Sequence, residues 1–165
     1  SSSRDKGIDL KLISAVQEVN EIQRDILIKK ILNRFKGRSD SEELKVAIWG
    51  LSYKPETDDI REAPSIGLIR ALKERGVIIK AYDPQALGNM KELIPEDKNL
   101  SYSLTSQDAL EEAEALIICT EWQEFLDFSY IDYKDTSLKY ILDGRNCLNK
   151  KKILLDGFLY EGIGR

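Results

Sequence analysis

The sequence predicts an α/β fold: a mostly parallel sheet flanked by helices and preceded by a long N-terminal helix. Three observations carry this. From Lys45 onward, short apolar runs alternate with segments of helical spacing, the pattern of strand–helix–strand units joined by right-handed crossovers. Before them, a long stretch holds apolar residues at helical spacing without a proline. The length, 165 residues, suits one domain with a real core.

The first seven residues, SSSRDKG, are polar and read as a frayed approach. Asp9 stands where an N-cap would start a helix running to about Phe35, with Gly37 as its stop. Its apolar positions include Leu12, Ile13, Val16, Val19, Ile22, Leu27, Ile28, Ile31 and Leu32, more than one stripe can account for. One stripe can pack on the chain's own sheet. The surplus calls for a partner helix, which predicts a homodimer through this element. The polar segment KGRSDSEE then acts as a linker, dividing the chain into a helix at 1–37 and an α/β domain at 38–165. Strands are expected at 45–50, 77–82, 100–104, 115–119, 138–142 and 153–155. Helices are expected at 64–75, 85–93 and 106–113, with short pieces after Trp122 and around 146–150. Pro64 near the first turn and Gly76 at the stop mark the first of these helices.

Composition excludes several classes. The chain is 42% hydrophobic and 33% charged, as ordinary globular proteins are. The net charge is −4 with scattered basic residues, which argues against nonspecific nucleic-acid or anionic-membrane binding. The longest apolar runs are about six residues, far short of a membrane span. The start carries no signal-peptide pattern, so a cytoplasmic location is expected. There is no histidine, which removes Ser-His, Cys-His and His-metal chemistry from this chain. The two cysteines give no zinc spacing. Cys119, inside ALIICT, reads as a buried core residue, and Cys147 as structural.

In such sheets, ligands gather at the carboxyl ends of the strands. That puts the loops after Gly50, Tyr82, Thr120 and Asp143 on one rim. The first loop, GLSYKPETDDIREAPS, has only Gly50 where a dinucleotide cradle would carry several glycines. It offers Lys54 instead, a point charge just past a strand end that suits an anionic ligand; a solvated loop lysine is the bland alternative. Asp58 or Asp59 is expected to cap the next helix or to pair with Arg61. Asp83, directly before Pro84, reads as a turn former, and Glu121 and Trp122 read first as packing residues. Arg145, in DGRN, projects a guanidinium fork suited to phosphate or a diol. Lys54 and Arg145 would then meet on one rim from separate loops.

The motifs GLSYKPETDDIREAPS, AYDP, TEW and DGRN, in this order and spacing, resemble the C-terminal domain of the UDP-glucose/GDP-mannose dehydrogenase family, in its UDP-glucose 6-dehydrogenase branch. VQEVNEIQRDIL resembles the end of that family's long central helix. The resemblance covers the chain from about Ile8 to its end. It implies a Rossmann-like fold and a fragment of a larger enzyme, one that oxidises UDP-glucose to UDP-glucuronate with two NAD⁺. The family's NAD-binding N-terminal domain and its cysteine nucleophile have no match here, so this chain alone is expected to be inactive. By motif match, Tyr53, Lys54 and Arg145 would contact the UDP-sugar, while Arg61 would reach the NAD⁺ held by the other domain. A related enzyme acting on UDP-N-acetylhexosamines or GDP-mannose, and a stand-alone nucleotide-binding module without catalysis, are the competing readings.

Overall fold

A computed structural model describes residues 2–39 and 41–164. Its centre is a six-stranded sheet with strands β1 (Lys45–Trp49), β2 (Ile78–Tyr82), β3 (Leu100–Tyr102), β4 (Ala115–Ile118), β5 (Tyr140–Asp143) and β6 (Leu159–Gly162). Their spatial order is β3-β2-β1-β4-β5-β6, and all five pairings are parallel. The chain winds outward from β1 to β3, then crosses back to β4 and winds the other way. The order therefore reverses between β1 and β4, which opens a switch point at the carboxyl ends of those strands.

The helices are α1 (Ser2–Arg34), α2 (Pro64–Glu74), α3 (Leu87–Leu93), α4 (Ser106–Leu110), α5 (Gln123–Leu126) and α6 (Lys150–Leu155), with a 3₁₀ turn at Tyr130–Tyr133. They cover both faces of the sheet. Successive strand side chains point to opposite faces, so one strand feeds two cores. On β1, Val46 and Ile48 join Leu68, Ile69 and Leu72 of α2, Met90 of α3 and Leu27, Ile28 and Ile31 of α1. Ala47 and Trp49 join Ala109 and Leu110 of α4, Phe125 of α5 and Ile153 of α6 on the other face. Burial on both faces explains why β4 and β5 read as unbroken apolar runs rather than alternating ones.

The last turns of α1 belong to this packing. Leu27, Ile28 and Ile31 are buried, and Lys30 and Arg34 both pair with Glu161 on β6, at 2.9 and 3.1 Å. Earlier in the helix, Leu10, Leu12, Ile13, Val19 and Ile22 remain exposed.

Three sequence expectations need correction. The helix does not start after Asp9 but runs through it from Ser2, so Asp9 is not a cap and the polar start is helical. Gly7 lies inside this helix, a position that costs only about 1 kcal/mol relative to alanine. Of the two roles open to Asp58 or Asp59, Asp59 takes the pairing with Arg61, while α2 has Ala63 as its N-cap with Pro64 following. The strand expected at 153–155 is instead the end of α6. Asn149 caps that helix by accepting a hydrogen bond from Lys152 N, and of its apolar residues only Ile153 is buried. The sixth strand lies further on, at Leu159–Gly162, and the helical piece expected at 146–150 lies at Lys150–Leu155.

Candidate functional site

The carboxyl ends of β1, β2 and β4 meet around a buried carboxylate. Asp83, which ends β2, is 1% exposed. One oxygen accepts from Leu51 N at 2.7 Å, Ser52 N at 3.1 Å, Ser52 Oγ at 3.1 Å and Trp122 Nε1 at 3.1 Å. The other accepts from Gln85 N and Ala86 N, at 2.9 and 2.8 Å. Asp83 is thus the turn former the sequence predicts, and also the knot that ties three strand ends together. Thr120 Oγ1 donates to Ser52 O at 2.7 Å, and Ser65 Oγ donates to Leu51 O at 3.0 Å. The backbone of the first loop is therefore fixed on several sides.

This arrangement closes the crevice that a dinucleotide uses in folds of this order. Gly50 has a φ of +92°, and a Cβ there would lie 2.5 Å from Thr120 N, so the backbones of β1 and β4 touch. The acid that would hold a ribose is consumed by internal donors.

What remains open is the rim beside it. A cleft of about 420 Å³ lies between the rim and α1, within the range of small-molecule sites. Tyr53, Lys54, Pro64 and Arg145 line one side, and Ala15, Val16, Val19, Asn20 and Gln23 of α1 line the other. Lys54 is exposed, and its ammonium has no ion-pair partner among the described residues; it acts on Asp59 only through space. Tyr53 is half-exposed, and its backbone N–H donates to Asp59 O at 2.8 Å, which folds the loop back on itself. One wall is thus cationic and aromatic and the other mostly apolar with two carboxamides. Such a cleft can take an anion with an attached hydrophobic or hydroxylated body.

Arg145 is held from both ends. Its backbone N–H donates to Asp143 Oδ1 at 3.1 Å. Asp143 is fully buried and also accepts from Leu148 N and Tyr160 Oη, each at 2.8 Å. Gly144 before it has no room for a side chain, since a Cβ would lie 2.6 Å from Ile118 O with Leu27 of α1 just beyond. The guanidinium donates through Nε to Glu121 Oε2 at 2.6 Å and through Nη2 to Glu121 Oε1 at 3.4 Å. Glu121 is therefore an ion-pair partner, whereas Trp122 packs in the core as the sequence predicts.

Arg61 lies outside this cleft. Its side chain is 86% exposed and grips Asp59 through Nε and Nη2, the latter at 2.7 Å. The Arg61 hydrogen bond is the main cause that pulls Asp59 down to about 2. Of the residues singled out by sequence, three share the cleft and the fourth is apart. Sequence spacing does not mark the α1 wall, because its Asn20 and Gln23 are ordinary members of a mixed polar and apolar helix.

The cysteines take no part. Burial pushes both Cys119 and Cys147 up to about 12, the Asp143 carboxylate adding to the effect at Cys147. Among the described residues no group of acidic or thiol side chains could hold a metal ion, and no helix is long and apolar enough to cross a membrane.

Sheet order, the braced loop after β1 and the cationic rim define a doubly wound α/β domain of the nucleotide-binding kind. The chain belongs to the UDP-glucose/GDP-mannose dehydrogenase family, and residues 47–150 match the model of its UDP-binding domain. It is 36% identical over 169 residues to a UDP-glucose 6-dehydrogenase of Pseudomonas aeruginosa, and 36% identical over 158 residues to one of Bacillus subtilis. These matches cover 99% and 95% of this chain but only 37% and 35% of the relatives' lengths. Among solved structures, it is similar to a UDP-glucose dehydrogenase from Pyrobaculum islandicum, at a TM-score of 0.73 and 27% identity over 97% of this chain and 34% of the other. A UDP-D-ManNAc dehydrogenase from Pyrococcus horikoshii matches at 0.64 and 26%, over 86% of this chain and 30% of the other.

Proposed function

We propose that this chain is the UDP-sugar-binding part of a UDP-glucose 6-dehydrogenase, a cytoplasmic enzyme that oxidises UDP-glucose to UDP-glucuronate with NAD⁺. One observation carries the proposal: Tyr53 and Lys54 after β1 and Arg145 after β5 line a single cleft closed by α1. Lys54 serves the diphosphate as a free charge, and Arg145 supplies a planar fork for the sugar nucleotide. The apolar wall of Val16 and Val19 offers contact area to the less polar part of the ligand. The helix at 1–37 and the domain at 38–165 act together, because the cleft needs both.

NAD⁺ supplies the oxidising chemistry and is held mainly by another domain. Within this chain, Arg61 is the residue that would reach it. It points away from the cleft on an exposed loop, and Asp59 holds its fork in place. Neither cysteine suits a nucleophile, since both thiols are held protonated at neutral pH. The catalytic groups therefore lie outside this chain in the proposed enzyme.

The test is a calorimetric titration of the full-length protein with UDP-glucose, UDP-N-acetylglucosamine and GDP-mannose. UDP-glucose should bind at least about tenfold more tightly than the others, equivalent to about 1.4 kcal/mol. Preference for either competitor contradicts the sugar assignment. Failure of all three contradicts the proposal as a whole.

A further inference from the structure

We infer that Glu121 is a positioning residue for Arg145: it grips one edge of the guanidinium so that the other edge is presented to a phosphate-bearing ligand in the cleft. The inference rests on the proposed function for the ligand's chemistry, but its evidence is the geometry of one ion pair.

A guanidinium carries five N–H donors in a fixed plane: one on Nε and two on each Nη. Glu121 engages the side of that plane, with Nε at 2.6 Å from Oε2 and Nη2 at 3.4 Å from Oε1. This contact uses two donors. Three remain, and one N–H of Nη1 together with the second N–H of Nη2 forms the end-on edge. That edge is a complete fork for two oxygens of a phosphate. Arg145 lines the cleft while Glu121 does not, so the carboxylate holds the side chain from behind.

The rest of the environment agrees. A long, half-exposed arginine would ordinarily sample many rotamers and lose that freedom on binding. Here the backbone is fixed by Asp143 and by the tight contact of Gly144 with Ile118 O. The tip is fixed by Glu121, which follows β4 two residues after Cys119 and is itself braced by its neighbour Trp122 in the core. Arg145 is therefore constrained at both ends before any ligand arrives. Lys54, on the same side of the cleft, has no ion-pair partner among the described residues. The two cations thus divide the work: one is unbraced and follows charge, the other is preset and reads geometry.

The alternative role for Glu121 is a competitor that parks Arg145 and must be displaced. A third is a plain surface ion pair that supports the rim. These three predict different outcomes in one experiment. UDP is titrated into the full-length protein and its Glu121→Ala, Glu121→Gln, Arg145→Ala and Glu121→Ala/Arg145→Ala variants, with KM for NAD⁺ measured alongside. Positioning predicts that Glu121→Ala weakens UDP about tenfold, as loss of one preset charged contact does. It predicts that Glu121→Gln, which keeps an acceptor, recovers most of the loss. It also predicts that Glu121→Ala adds nothing once Arg145 is gone, because it acts only through that side chain. KM for NAD⁺ should stay within about twofold, since a local rim contact leaves remote additive sites unchanged.

Tighter UDP binding by Glu121→Ala overturns positioning in favour of competition. Equal weakening with and without Arg145 overturns it in favour of a structural role. No effect of Glu121→Ala, where Arg145→Ala does weaken UDP, overturns it while leaving the proposed function standing. No effect of Arg145→Ala overturns the proposed site itself and the inference with it. If Glu121→Ala fails to fold, Glu121→Gln decides alone: its affinity must fall only slightly in the native background and not at all in Arg145→Ala.

Discussion

Lys54 is exposed and has no ion-pair partner among the described residues, so its replacement should cost almost no stability. In the full-length enzyme Lys54→Ala should nonetheless weaken UDP-glucose binding by about 1.5–3 kcal/mol, the worth of a hydrogen bond to a charged group. Arg145→Lys should not restore what Arg145→Ala loses, because an ammonium cannot reproduce a two-pronged contact. Arg61→Ala should raise KM for NAD⁺ more than KM for UDP-glucose. Steady-state kinetics with both substrates varied checks all three. Surface ion pairs of no function would each change binding by less than about 1 kcal/mol. At this scale the sequence was informative where a residue follows a strand end, as Lys54 follows KVAIWG and Arg145 follows YILDG. It was silent where two loops choose each other. The pairing of Glu121 with Arg145 depends on β4 and β5 being neighbours, which no local pattern encodes.

Among the elements, α1 has two jobs on two faces. At 100° per residue, Leu12 and Ile22 fall about 80° apart, on the side away from Ile31. Both are exposed while Ile31 is fully buried. We propose that these bare apolar positions form an interface, which a second copy of the helix would satisfy with symmetry. Light scattering should show a dimer, and Leu12→Glu with Ile22→Glu should convert it to monomer without unfolding the α/β core. A monomer at high concentration with the native helix contradicts this. The same helix shows how far periodicity reaches. Spacing revealed the excess of apolar positions, but not that Leu27 would land beside Gly144 and swing Asn20 and Gln23 over the rim. Short apolar runs were the other blind spot. KILL suits a strand as well as a helix, and only the Asn149 cap decides for helix.

For the whole molecule, the doubly wound order does two things at once. It brings the ends of β1, β2 and β4 together and then seals them, through Asp83 and the contact of Gly50 with Thr120. The proposed binding cleft lies beside the switch point, under α1, where the rim offers the cations Lys54 and Arg145. Alternation of strands and helices made the parallel sheet legible from sequence. The chain spans 37% of the Pseudomonas aeruginosa relative's length and carries both the Tyr53–Lys54–Arg145 wall and the α1 wall of the cleft. We propose that these two walls suffice for UDP, which should then bind this chain at that cleft. The most direct measurement is a titration of the ¹⁵N-labelled 165-residue chain with UDP, followed by amide chemical shifts. Saturable shifts should gather at Tyr53, Lys54, Gly144, Arg145 and the Val19–Gln23 turn of α1, with Lys45 and Ile78 at the opposite end of the sheet unmoved. No shifts at about millimolar UDP, a free energy of about −4 kcal/mol, or shifts that gather away from this cleft, would contradict it.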